Sequence, residues 1–107
     1  MITRKRRPST PGQILLKHHL EPNRITVTRF AKATKLSTKH VSQIIHGHAA
    51  LSPETAIKFA AVLDTTPELW INLQRAVDLW DARQKLKGWE PAVALHGAAW
   101  LLVRHGN

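Results

Sequence analysis

The sequence contains no cysteine. That excludes disulfides and thiolate metal sites and suits a reducing compartment. Carboxylates are scarce, with seven Asp+Glu against sixteen Lys+Arg in 107 residues. Paired-acid catalysis and acid-rich metal sites therefore have little to work with. No glycine-rich phosphate loop is present, and no nucleophile–His–acid arrangement stands out. His40 near Ser42 is a weak pair on an exposed helix and does not read as a hydrolytic dyad. Long apolar runs are also missing. The most apolar stretch, 92–103, is well short of the roughly twenty residues that span a bilayer. The basic N-terminus is followed by only Ile14-Leu15-Leu16 before Lys17-His18-His19, which is too short for a secretory signal. The expectation is a cytoplasmic protein, nucleoid-associated when bound to DNA, with no membrane partner.

What remains is a net charge of +9. A strong positive balance favours polyanions, because each neutralised phosphate releases condensed counterions. A membrane surface or an acidic protein would also be drawn by that charge.

No segment alternates apolar and polar residues for long, so the chain reads as all-α, with five or six helices joined by short loops. Residues 1–9 are expected to form a flexible basic arm. The run Arg4-Lys5-Arg6-Arg7 suits either a minor-groove or phosphate-tracking arm or a solvated tail. Thr10 caps a first helix that starts at Pro11 and runs to about Leu20, where Pro22 stops it. A second helix follows Thr26, turns Phe30, Ala31 and Ala33 inward and ends near Lys35. Ser37 caps a third, anchored by Val41, Ile44 and Ile45 and ended by Gly47. Ser52-Pro53 opens a fourth with a core stripe of Ala56, Ile57, Phe59, Ala60 and Leu63. Thr66-Pro67 opens a fifth, in which Leu69, Trp70, Leu73, Val77 and Trp80 recur toward Leu86. Gly88 and Pro91 mark a break, and 92–104 predicts a sixth, apolar helix. The organisation is thus an arm (1–9), a domain (10–86) and a C-terminal apolar helical extension (87–107).

The stretch 25–47, ITVTRFAKATKLSTKHVSQIIHG, is two short helices separated by a tight turn. Ala31 is small where the helices approach and Leu36 is apolar in the turn. This is the requirement of a helix-turn-helix, in which one helix crosses the DNA backbone and the next lies in the major groove. With Val41, Ile44 and Ile45 inward, Thr38, Lys39, Ser42, Gln43 and His46 face out. Gln pairs bidentately with adenine and Lys donates to guanine acceptors. Thr26, Thr28 and Ser37 lie at helix starts, where unpaired amides favour phosphate. Arg29 adds a phosphate-binding charge.

The layout resembles the Cro/C1-type (XRE) helix-turn-helix domain, also called lambda repressor-like. Three strings sharpen that resemblance toward the HigA-type antitoxins: PGQILLKHHLEP at 11–22, the motif at 25–47, and LSPETAIKFAAVLDTTPELWINLQRAVDLWDAR at 51–83. The resemblance implies a homodimer on a palindromic double-stranded operator. It implies a repressor of its own operon that neutralises a RelE-type mRNA endonuclease toxin, as in HigB/HigA systems. It places base readers at Thr38, Lys39 and Gln43, and phosphate contacts near Thr26, Val27, His46 and His48, with Val27 contributing its amide. Two alternatives stay open: a stand-alone XRE-family regulator without a toxin, toward which the high positive charge leans, and an interaction module that no longer binds DNA. Trp80, Trp89, Trp100 and Leu102 are candidates for a dimer or toxin interface, since large apolar patches mark interfaces. Asp78 and Asp81 offer a local acidic face to a basic toxin. The pairs His18-His19 and His46-x-His48 do not complete a tetrahedral metal set, so neither metal nor cofactor is expected.

Overall fold

A computed structural model describes residues 6–95. Within them the chain forms five helices: α1 (Pro11–Ile14), which continues as a π-helical turn through Leu15–Leu20, then α2 (Val27–Thr34), α3 (Thr38–Ile45), α4 (Pro53–Leu63) and α5 (Pro67–Lys85). No strand is present among the described residues.

Every helix start has a side-chain cap. Thr10 and Gln13 form a reciprocal capping box on α1: the Gln13 amide donates to Thr10 Oγ1 at 3.1 Å and the Thr10 amide donates to Gln13 Oε1 at 2.8 Å. Thr26, Ser37, Ser52 and Thr66 accept from the amides of Arg29, His40, Thr55 and Leu69. Each such cap is worth about 1 kcal/mol, and prolines at the first position of α1, α4 and α5 lose no helical hydrogen bond. α2 and α4 end on left-handed residues, Lys35 (φ 60°) and Asp64 (φ 54°). α3 ends in a turn containing Gly47 at φ 76°, where glycine carries no steric penalty.

The core is organised around three aromatic rings. Phe59 lies edge-on to Phe30 (centroids 5.0 Å) and to Trp70 (5.3 Å). Trp70 is fully buried, and its indole N–H donates to Thr65 Oγ1 at 2.8 Å, so its one polar atom is satisfied. Leu15, Leu20, Val41, Ile44 and Ala56 close the core around them.

Gly12 sets the distance between α1 and α3. A Cβ placed there would lie 2.0 Å from the Ile44 carbonyl oxygen and 2.6 Å from the Ile45 Cα. Both are backbone atoms and have no rotamer through which to move. Only glycine allows this contact, which fixes α3 from behind.

The structure corrects four details of the helix reading. Ala33 is exposed, and Thr34 takes its inward place with its hydroxyl donating to the Phe30 and Ala31 carbonyls. Ile57 is 58% exposed, one position round the helix from the buried stripe of Ala56, Phe59 and Ala60. Leu69 is also exposed, beside buried Trp70. Residues 91–95 are not helical, so the expected sixth helix does not begin at Ala92; the remainder of 92–104 lies outside the described residues. The C-terminal part of the expected arm lies on the domain: Pro8 is buried and Arg7 pairs with Asp81.

Candidate DNA-binding face

α3 is eight residues long and buries one side completely, with Val41 at 0% and Ile44 at 2% exposure. The opposite side carries Thr38 and Lys39, both exposed, and Ser42 and Gln43, both half-buried. These four therefore share one surface, as the spacing predicts. A helix so short has marginal intrinsic stability. Its rigidity comes from α1 behind it through Gly12, from α2 through the turn, and from the Ser37 cap in front.

Phosphate-class groups gather around that surface. At the start of α2, Val27 and Thr28 have amides without an intrahelical acceptor, and Thr38 and Lys39 have the same at the start of α3. The positive end of each helix dipole lies at these amides. Val27 keeps its side chain half-buried against the core, so its backbone is what it can offer. The Thr26 and Ser37 hydroxyl oxygens accept from their capped amides, which leaves each O–H free to donate outward. Thr28 and Arg29 are exposed beside them.

The far end of α3 is shaped by backbone hydrogen bonds. The amides of His48 and Ala49 both donate to the Gln43 carbonyl, at 2.8 and 3.2 Å, folding the following loop back onto the helix. His46 Nδ1 lies 2.8 Å from the Ser42 carbonyl oxygen, which can only accept, so Nδ1 carries a proton. Nε2 is then the outward-facing nitrogen. His48 stacks on His46 with ring centroids 6.4 Å apart. Both rings are exposed.

Electrostatics add contributors that the motif reading omitted. Between Glu21 and Glu54 the chain has no acidic residue, yet it carries Arg24, Arg29, Lys32, Lys35 and Lys39. All five are exposed. The missing acids over that interval were a visible signal for Lys32 and Lys35. The other carboxylates lie at Glu54, Asp64, Glu68, Asp78 and Asp81, on or beside α4 and α5, and at Glu90 past the end of α5. Gln74 ties the two halves together: its Oε1 accepts from the Leu51 amide at 2.9 Å and its Nε2 donates to Asp78 Oδ1 at 2.8 Å.

The candidate interface residues are divided. Trp89 is 64% exposed. Trp80 is half-buried, and its indole N–H is buried without an acceptor among the described residues. Trp100 and Leu102 lie outside the described residues. Leu79 and Leu86, not singled out from sequence, are exposed on the same helix end, at 47% and 56%. Among the described residues, no group of three His, Cys, Asp or Glu side chains could hold a metal ion, and no helix is long and apolar enough to cross a membrane.

Comparison with known proteins agrees with this geometry. A helix-turn-helix family model (HTH_3) matches residues 16–70. The Escherichia coli K12 HTH-type transcriptional regulator YbaQ is 36% identical over 92% of this chain and 88% of its own length. Antitoxin HigA-1 of Vibrio cholerae is 46% identical over 76% of each chain. Among solved structures, PA4674 of Pseudomonas aeruginosa in complex with its 28-bp operator DNA superposes with a TM-score of 0.76 at 31% identity, covering 81% of this chain and 97% of that one. The chain belongs to the Cro/C1-type helix-turn-helix family and is similar to its HigA antitoxins.

Proposed function

We propose that this protein is a sequence-specific DNA-binding repressor that acts as a homodimer on its own operator and serves as the antitoxin of a HigB/HigA-like pair. One observation carries the DNA-binding part: a short helix clamped on its apolar side presents Thr38, Lys39, Ser42 and Gln43 outward, within a run of chain that holds cations and no carboxylate. Gln43 and Lys39 read base edges in the major groove. Thr26, the Val27 amide, Thr28, Arg29, Ser37, His46 and His48 hold phosphates and fix the register. The likeness to an operator-bound protein supports this use of the fold.

Two copies place two α3 helices about one DNA turn, roughly 34 Å, apart. The exposed end of α5 with Leu79, Leu86 and Trp89 supplies apolar surface for a second copy or for a toxin. A basic RelE-type endonuclease is repelled by the α2–α3 face and finds carboxylates on the α4–α5 side. Neutralisation by this route needs no chemistry from this chain.

A second reading, a stand-alone regulator, is favoured by the net charge of +9, which disfavours a basic partner. A small basic protein encoded beside this one and co-purifying with it supports the antitoxin; its absence supports the regulator. Footprinting on the gene's own upstream region tests the shared core of both. We expect two protected half-sites related by a dyad, and uniform protection or none contradicts sequence-specific repression.

A further inference from the structure

The loop that follows α3 is slung between two helices. At its near end the His48 and Ala49 amides donate to the Gln43 carbonyl of α3. At its far end the Leu51 side chain is buried in the core, and the Leu51 amide donates to Gln74 Oε1 on α5 at 2.9 Å. Gly47, His48 and Ala50 lie between these anchors and are exposed. A cleft of about 190 Å³ is lined by those three residues on the loop side and by Gln74, Asp78 and Asp81 on the α5 side. The loop therefore lacks close packing against α5 over the cleft. Among the described residues, Gln74 makes the only side-chain hydrogen bond that crosses from α5 to this loop.

Gln74 is itself held in place. Its Nε2 donates to Asp78 Oδ1 at 2.8 Å, one helical turn further on. The Leu51 N–H can only donate and the Asp78 carboxylate can only accept, so both neighbours demand the same orientation of the Gln74 amide. Asp81, the other carboxylate at the cleft, is already paired with Arg7 through two bonds of 2.8 Å. Asp78 is thus the group that orients Gln74. Without Gln74 the amide of buried Leu51 loses its acceptor, and an unsatisfied donor of this kind drives the backbone to move until it finds one. Such a movement reaches His48, which stacks on His46 with centroids 6.4 Å apart.

We propose that Gln74 is a positioning residue for DNA binding. Oriented by Asp78, it fixes the loop after α3 relative to α5, and so the place of the His48 ring against the duplex phosphates. Gln74 touches no DNA itself. The proposal rests on the DNA-binding reading above and adds to it a residue of α5, the helix that carries the apolar outer surface.

The test measures operator affinity and phosphate-ethylation interference for the full chain and its variants, at a temperature where thermal melts show each one folded. Gln74→Leu keeps the side-chain bulk and removes both hydrogen bonds. It should bind about tenfold more weakly, within the range for coupled neighbours. It should lose the interference signals that His48→Ala loses and keep its contacts to the base pairs read by α3. A role in folding alone does not single out those phosphates. The double variant Gln74→Leu/His48→Ala should bind within about twofold of His48→Ala, because the two residues act through one contact. Asp78→Asn and Asp78→Leu decide the matter if Gln74→Leu does not fold. Both remove one negative charge. Asn keeps an acceptor for Nε2 and should bind at least as tightly as wild type, whereas Leu leaves Gln74 unoriented and should bind more weakly than Asn. Wild-type affinity and interference for Gln74→Leu overturn the proposal. So do additive losses in the double variant, or equal binding by the two Asp78 variants. Failure of the wild-type chain to bind its operator takes down the DNA reading itself, a different result from these.

Discussion

Helices α3 and α5 each bury one stripe, but they present different opposite faces to solvent. α3 has eight residues, three of them buried, and its open side is polar and basic. α5 has nineteen, of which Trp70 and Val77 are buried, and its far end exposes Leu79 and then leads to Leu86 and Trp89. A polar outer face on a clamped helix fits base edges and phosphates. An apolar outer face on a long helix fits another protein chain. The comparison gives the two proposed classes of partner different surfaces, and it makes the α3 side depend on rigidity supplied by the rest of the fold.

The largest expected effect removes the shared support. Trp70→Ala deletes the ring that joins Phe59, His19 and the Thr65 hydroxyl and should cost about 3–5 kcal/mol, read as loss of a cooperative thermal transition. Gly12→Ala comes next. Its methyl meets Ile44 and Ile45 backbone, so we expect destabilisation of about 3 kcal/mol. Operator affinity should fall further than that instability explains, because α3 itself must shift. Retained affinity in the folded fraction contradicts the view that α1 sets the position of α3. Ser37→Ala should cost about 1 kcal/mol in denaturant melts and also weaken operator binding, since one hydroxyl serves both as cap and as outward donor.

The smallest effect is on pH. His19 packs on Trp70 at 5.4 Å, and burial followed by the neighbouring His18 lowers its pKa below 6.5. The unfolded chain then binds the proton more readily, so stability is full above pH 6.5 and falls as pH drops through the window below it. Urea melts from pH 7.5 to 5 should show this loss for wild type, and less of it for His19→Gln. Equal pH slopes in the two proteins contradict the assignment.

These expectations bear on how much the sequence discloses. All five helix starts were legible, because each is a Ser or Thr followed by helix-compatible residues, three of them Pro. The shared outward surface of Thr38, Lys39, Ser42 and Gln43 was legible as well, since 3.6-residue spacing puts them opposite Val41 and Ile44. Ala33 and Ile57 were misplaced because apolar character was read without its angle. The α4 stripe runs through Ala56, Phe59, Ala60 and the half-buried Leu63, and Ile57 lies about 100° away from it. Thr34 was missed for the converse reason, a polar residue whose hydroxyl is satisfied by its own helix. The π-helical turn at Leu15–Leu20 and the Gly12 contact depend on tertiary packing, and no local propensity encodes them. The Arg7–Asp81 pair joins positions 74 residues apart and had no local trace either.

The most direct measurement is operator affinity for the double variant Lys39→Ala/Gln43→Ala beside its thermal melt. Neither side chain contributes to the buried core, so the melt should stay within about 0.5 kcal/mol of wild type. Affinity for the cognate operator should fall by about 1–3 kcal/mol per residue, with binding to unrelated duplex nearly unchanged. A folded double variant that still distinguishes its operator from unrelated DNA contradicts the assignment of α3 as the reading helix.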